Sequence, residues 1–493
     1  MSVGPLGHLL DDHPSAPDAA LISTADASLT LAETRAAAAV LGEQLRGVGV
    51  EPGHAVALVI DDGIGALVAA LSTWSIGSVL VPLNARLTDG ELATAYRAEQ
   101  PAAVITSDAT RVPTGLPVLE QRKGATWDVV RTERTGDARR HTAEAGLVMR
   151  TSGTTGEPKS VVMRHDGVLG GIDTVTSQLR AKAAASGKPA MPNLIPMSLA
   201  LWAGLWNALF GLRAGAPVVL MDRFDTQDFA TLVRRYEIRS TVLAPAMMSM
   251  LSADPALSSL APLRLARSVT APLTPAQART FRDRFGVDVL NCYGQTELCS
   301  EVVGWTTQDL RDHGDTKLGA VGRAHPGVDV KVLTEDGQPT AGEEAGELWI
   351  RSPFLGQADA AITSRLDAEG YLRTGDLGYV DADGFIWLEG RVSDMINRGG
   401  LKVTPQEVEE ALRRQAGVAD ACVAGVPDER LGEVPVAWVV PVAGTELDPV
   451  VLRDGLRAEL APYKVPAEVI LIAELPRNEI GKVLRRSLIE GHR

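Results

Sequence analysis

Apolar and polar positions along the first half of the chain fall into blocks that alternate between helical and extended periods. Leu31–Gly47 is a run of good helix formers, with Thr30 as its cap and Gly47 as its stop. After Gly53, the apolar run Ala55–Ile60 predicts a strand. Gly63–Gly77 then predicts a helix, Ser78–Pro82 a strand, Leu87–Glu99 a helix and Ala102–Thr106 a strand. The rhythm resumes at Val218–Met221, Phe229–Tyr236, Thr241–Ala244 and Ala276–Phe285. A β–α–β–α order of this kind implies a parallel or mixed sheet covered by helices.

The pattern changes after Gly319. Short strands separated by Gly and Asp (Val328–Leu333, Gly346–Arg351, Gly378–Val380, Phe385–Leu388) predict a β-rich subdomain. Beyond Arg391 a smaller α+β unit follows. Thr404-Pro405-Gln406-Glu407 has the pattern of a capping box, opening a helix over Pro405–Gln415. Strands at Ala421–Val426 and Val434–Val440, a helix at Pro449–Leu460 and a strand at Glu468–Ile472 complete it. The expected architecture is α/β: a large N-terminal domain of layered mixed sheets with a β-rich subdomain, then a small C-terminal α+β domain. The cut is placed near Arg391–Asp394, giving domains 1–391 and 392–493. A length of 493 residues also exceeds what one hydrophobic core supports.

Composition narrows the function classes. With 48 basic and 62 acidic residues, the net charge of −14 disfavours nucleic-acid backbones as partners. Aromatic residues at 4% leave little material for base stacking. Three cysteines, Cys292, Cys299 and Cys422, show no CxxC spacing, so neither a disulfide framework nor a zinc site is expected. The N-terminal MSVGPLGHLLDDHP lacks a basic segment followed by an apolar one, so no signal peptide is expected, and a cytoplasmic location follows. Two uncharged stretches, 63–85 and 189–212, are long enough to span a bilayer but are broken by Pro, Gly, Ser or Asn. They are read as buried core, with no membrane span.

The strongest chemical signal is Thr151-Ser152-Gly153-Thr154-Thr155-Gly156-Glu157-Pro158-Lys159. Glycines let backbone N–H groups turn inward as an anion nest, hydroxyls add donors, and a lysine adds charge. Its physics is that of a phosphate loop, although the spacing is not that of a Walker A motif. Taken alone, it could equally be a flexible surface loop.

The loop resembles the signature of the acyl-adenylate-forming superfamily, which includes acyl- and aryl-CoA synthetases, peptide-synthetase adenylation domains and luciferases. Four more segments match in order. Tyr293-Gly294-Gln295-Thr296-Glu297 resembles the YGxTE motif, and Tyr371 through Asp376 resembles Y-x-x-TGD. Gly390-Arg391, Asp394, Gly400 and Pro405–Glu409 resemble the interdomain hinge region, and Pro476–Lys482 the C-terminal lysine motif.

The resemblance implies ATP and Mg²⁺ as cofactors, CoA as second substrate, and a monomer or homodimer. It also implies roles by position. Thr151, Ser152, Gly153, Thr154, Thr155, Gly156 and Lys159 would wrap the β- and γ-phosphates. Asp376 would accept from the ribose hydroxyls, with Arg391 at the ribose or phosphate. Thr296 would contact the α-phosphate, and Glu297 would hold Mg²⁺. Tyr293 would flank the adenine, and Ala271, Pro272, Asn291, Gly294 and Gln295 would also bind the nucleotide. Lys482 would bridge the substrate carboxylate and the α-phosphate. Gly399 and Gly400 would face the pantetheine arm, and Ser393 would be the pivot of a mobile C-terminal domain. Trp202, Thr270, Ala271, Cys292, Leu298 and Cys299, with Gln295, are candidate walls of the acid pocket. Core packing is an equal reading for each, and Trp202 and Trp206 share one helix face as core residues would.

The chain departs from the family pattern at four places. Ser160 follows the signature loop where Gly is usual. Ser393 stands where a hinge Asp or Lys is usual. Pro196–Ala200 lacks the gating histidine, with Leu199 in its region. Val269-Thr270-Ala271-Pro272 replaces Gly-Gly-Ala-Pro, and the added volume favours a compact acid. The leading expectation is activation of a small or aryl carboxylic acid as an acyl-adenylate, then thioester formation with CoA. Alternatives are an amine or carrier-protein acceptor, activation of nitrite for diazotisation of an aryl amine, or a nucleotide sensor without catalysis.

Overall fold

The computed structural model describes residues 3–151, 159–186, 190–357, 360–477 and 483–492. Two large sheets form most of the N-terminal part. In one, Ala55–Val59 lies between Val79–Pro82 and Ala103–Thr106, and the inner strands run parallel. Antiparallel hairpins close both of its edges: Val118–Gln121 with Trp127–Arg131, and Ala145–Thr151 with Lys159–Arg164. The other sheet runs parallel through Ala20–Ser23, Val218–Leu220, Asn193–Ile195, Ser240–Leu243, Leu265–Ser268 and Asp288–Gln295. It then turns antiparallel into Ser300–Gly304 and Arg323–Ala324.

The helix Gly63–Ser75 lies between these two sheets. A Cβ on Gly63 would meet Leu220 of one sheet, and a Cβ on Gly65 would meet Gln121 of the other. Twelve of its thirteen residues, Gly63 through Trp74, are buried. This accounts for the first uncharged stretch, since a helix covered on both sides needs no polar face. Asp62 caps it, accepting from the N–H groups of Ile64 and Gly65. The second stretch supplies the strand Asn193–Ile195 and the helix Trp202–Arg213, whose residues are mostly buried. Among the described residues, no helix is long and apolar enough to cross a membrane.

A four-stranded antiparallel sheet follows: Asp329–Leu333, Gly346–Arg351, Leu372–Val380 and Ile386–Arg391. Its third strand is longer than the sequence predicts, because it runs through the TGD motif and places that motif inside the sheet. The last sheet pairs Gly432–Pro441 with Val418–Asp428 and Ile396–Arg398 antiparallel and with Glu468–Leu471 parallel. Helices Pro405–Arg413 and Pro449–Leu456 bury Val408, Leu412, Leu452 and Leu456 against it. These layers are the expected α/β fold with its small α+β unit.

One local expectation fails. Thr404 makes no side-chain cap, because Glu407 turns to Lys464 and takes its ammonium at 2.7 Å through both oxygens. A charge-assisted bond outcompetes the reciprocal cap.

Candidate active site

The strand Asp288–Gln295 and the strand Leu372–Val380 bring two sequence motifs together. Asp376, only 5% exposed, is the centre of the resulting cluster. Its Oδ2 accepts from the Tyr293 hydroxyl at 2.6 Å and from Gln295 Nε2 at 2.6 Å. Its Oδ1 lies 2.9 Å from Arg391 Nε, because Asp376 and Arg391 are register partners on adjacent strands. The Thr374 hydroxyl donates to the Leu348 carbonyl at 2.6 Å and accepts from the Asp376 N–H at 3.1 Å. Burial first, and the Asp376 charge second, push the Tyr293 phenol well above its usual range, so it stays a donor. Burial works against the Arg391 charge, but Asp376 and Asp394 outweigh it and raise its pKa.

Downstream of Gln295 the chain enters a short turn, Thr296–Leu298, ended by Cys299 at φ 55°. Glu297 lies on this turn, its carboxylate 2.7 Å from Arg365. Gly294 is fixed by close approach: a Cβ there would stand 2.4 Å from the Ser300 carbonyl oxygen. Leu298 and Cys299 are buried in the main core. Cys292 is half-buried and donates to the Ser268 carbonyl at 3.0 Å. Burial, then the charge of Glu301 or Glu297, pushes the thiols of Cys292 and Cys299 far up, which suits packing residues rather than nucleophiles. Asn291 is buried, its amide donating to the Ala320 carbonyl at 3.4 Å.

Thr270 is exposed at the end of the strand Leu265–Ser268, followed by half-buried Ala271 and exposed Pro272. Its φ of 75° is a left-handed conformation that strains a β-branched residue. Thr270→Gly is therefore expected to stabilise the fold by about 0.5–1 kcal/mol, read as a higher urea midpoint; a lower midpoint would contradict the strain. Trp202 is half-buried at the start of its helix. Trp206 is buried and stacks on Phe210 with ring centroids 5.5 Å apart. Leu199 is buried in the main core.

Thr151 and Lys159 are the last ladder pair of their hairpin, which marks where the signature loop leaves the sheet. Residues 152–158 of that loop, with Ser152, Gly153, Thr154, Thr155 and Gly156, lie outside the described residues, and so does Lys482. Ser160 has a partner of its own. Its hydroxyl bonds to Glu99, which is 1% exposed and also held by Arg150 at 2.8 Å. A glycine would leave one fewer donor on that buried carboxylate.

Ser393 lies in the short turn Val392–Asp394 and donates to Asp394 at 3.1 Å. Gly399 and Gly400 form the tip of the hairpin Ile396–Arg398/Leu401–Val403, with φ 61° and 89°. Lys402 of that hairpin pairs with Glu335, and Gln406 donates to the Leu388 carbonyl at 3.4 Å.

The structure thus joins Tyr293, Gln295, Asp376 and Arg391 directly and links Glu297 to them through Arg365. Sequence reading missed Arg365, because nothing marks an arginine in a polar turn nine residues before Thr374. It also missed the buried cluster beside Cys292, in which Glu301 lies 3.0 Å from Arg267 and 2.8 Å from His325.

The profile of the AMP-binding enzyme family matches residues 12–358, and that of the AMP-binding enzyme C-terminal domain matches residues 407–482. The chain belongs to the AMP-binding enzyme family. This AMP-binding enzyme is 30% identical to the sulfoacetate–CoA ligase of Cupriavidus necator over 94% of its own length and 92% of that protein. ATP-bound MatB from Rhodopseudomonas palustris superposes with a TM-score of 0.88 at 27% identity, covering 100% and 99% of the two chains. The amide bond synthetase McbA from Marinactinospora thermotolerans gives 0.85 at 27% identity, covering 99% of both. The AMP-binding enzyme is accordingly a ligase of the AMP-forming type.

Proposed function

We propose that this enzyme activates a small or aryl carboxylic acid with ATP, releasing pyrophosphate, and then transfers the acyl group to CoA. The observation that carries the reading is the Asp376 cluster. Tyr293, Gln295 and Arg391 orient one buried carboxylate and take three of its about four acceptor sites, leaving one on Oδ1 that suits a ribose hydroxyl. We assign the phosphates of a nucleotide held there to Lys159 and the signature loop.

A carboxylate is a poor electrophile until its oxygen carries a better leaving group. In the first half-reaction an acid oxygen bonds to the α-phosphorus, and the bond from that phosphorus to the pyrophosphate oxygen breaks. Lys482 and Thr296 are assigned to the charge that gathers on the α-phosphate. Glu297 fits a Mg²⁺ ion, since one oxygen faces Arg365 and the other accepts no bond among the described residues. One or two carboxylates plus phosphate oxygens are its usual protein-side complement. When bound, Mg²⁺ neutralises phosphate charge.

In the second half-reaction the CoA sulfur bonds to the acyl carbon, the thiol proton is lost, and AMP leaves. We assign the pivot between the halves to Ser393, which would turn residues 392–493 and bring Gly399 and Gly400 to the thiol. An amine acceptor is the second reading, favoured by Leu199 in the gate region and by the likeness to an amide bond synthetase. Mass analysis of products from ATP and an acid panel, with CoA or with amines, tests the acceptor. Acyl-CoA is the expected product; amides formed equally with and without CoA would contradict it.

A further inference from the structure

Arg365 is bound at four points, all within the two motifs that build the site. Its Nη1 lies 2.7 Å from Glu297 Oε1. Its Nη2 donates to the Gln295 side-chain oxygen at 3.3 Å and to the Thr374 carbonyl at 3.1 Å. Its Nε donates to the Arg373 carbonyl at 2.9 Å, and the Arg373 N–H returns a bond to the Arg365 carbonyl at 2.8 Å. Only the planar, five-donor fork of arginine reaches acceptors in that many directions; a lysine would supply a point charge alone.

Two consequences follow. The first is geometric. With Oε1 held, the Glu297 carboxylate has one orientation, and Oε2 is the oxygen left to face a ligand. The second is electrostatic. Asp376 is paired with Arg391, and Glu297 with Arg365, so neither motif carboxylate meets a triphosphate as a bare negative charge. The Glu297 side chain is 19% exposed and that of Arg365 30%, so water screens the pair only in part.

We infer that Arg365 is a positioning residue: it aims Glu297 and offsets its charge, so that a divalent cation is held with the triphosphate rather than alone. This rests on the adenylation reading and on Glu297 as the metal-holding group. A residue that merely braced the fold would weaken every ligand together. A charge-balancing residue shifts the bare cation and the nucleotide in opposite directions.

The test is Arg365→Met in the full chain, with two binding readouts and no turnover. Mn²⁺ affinity without nucleotide is followed by the electron-spin-resonance signal of the free ion. Affinity for Mg-ATP is followed by calorimetry. Expected are Mn²⁺ binding tightened about 3-fold and Mg-ATP binding weakened about 5-fold, from the loss of one partly screened charge. Arg365→Lys restores the charge but not the fork, so Mn²⁺ affinity is expected within about 2-fold of wild type while Mg-ATP binding stays about 3-fold weaker. If Arg365→Met does not fold, Arg365→Lys decides: a Mg-ATP affinity lowered more than 5-fold, with Mn²⁺ lowered in step, overturns the inference. For Arg365→Met itself, unchanged affinities, or both weakened together, overturn it. Wild-type protein that binds no Mg-ATP would instead contradict the adenylation reading.

Discussion

Lys482→Ala is expected to lower acid-dependent adenylation by about 100- to 1,000-fold, the loss associated with removing one preorganised electrostatic partner of a transition state. Negative charge gathers as the acid oxygen approaches the α-phosphorus, and Lys482 is the cation assigned to both groups. The binding of ATP should change much less, because the nucleotide is assigned to Asp376, Arg391 and the signature loop. The two effects are separated by measuring pyrophosphate exchange alongside ATP affinity. Near-wild-type exchange in the variant would remove Lys482 from the mechanism. A second control uses synthetic acyl-adenylate with CoA: thioester formation from it should survive the substitution, because that step begins after the α-phosphate has been attacked.

Asp376→Ala should act on binding and stability at once. The variant removes the carboxylate that Tyr293, Gln295 and Arg391 share, and takes one acceptor from each of three donors. One lost bond to a charged group would weaken ATP binding by about 2 kcal/mol, roughly 30-fold. The fold should lose about 2 kcal/mol. That is less than breaking a fully buried pair, because the Arg391 side chain is 42% exposed and water covers part of its charge. Calorimetric titration and urea unfolding read the two effects. A variant that binds ATP normally would show that the cluster supports the sheet and not the ribose.

Much of this was legible in the sequence, and the reasons are local. Thr30, with Glu33 three residues on, forms its capping box as the pattern suggests. The uncharged stretch at 63–85 announced burial because a helix between two sheets has no wet face. The motif residues Tyr293, Asp376 and Arg391 lie close in space although 83 and 15 residues separate them in turn, which ordered motifs anticipate and periodicity does not. Other features depend on contacts that no spacing encodes. Glu407 left its cap for Lys464, a residue 57 positions away. Ser160 looked like an exception to a glycine until Glu99 appeared beneath it. Arg365 gave no signal because its partners are mostly carbonyls and amide oxygens, which every sequence contains. The left-handed backbone of Thr270 could be suspected from the glycine usual at that place, but only the structure gives its φ.

Acid-dependent exchange of labelled pyrophosphate into ATP, with neither CoA nor amine present, tests the proposed chemistry most directly. It isolates the reversible first half-reaction and is indifferent to the acceptor. The structure and its resemblance predict exchange that requires an acid and Mg²⁺, favours compact or aryl acids, and persists without any acceptor. Exchange absent with every acid of a broad panel, or ATP cleaved to ADP and phosphate instead, would contradict it.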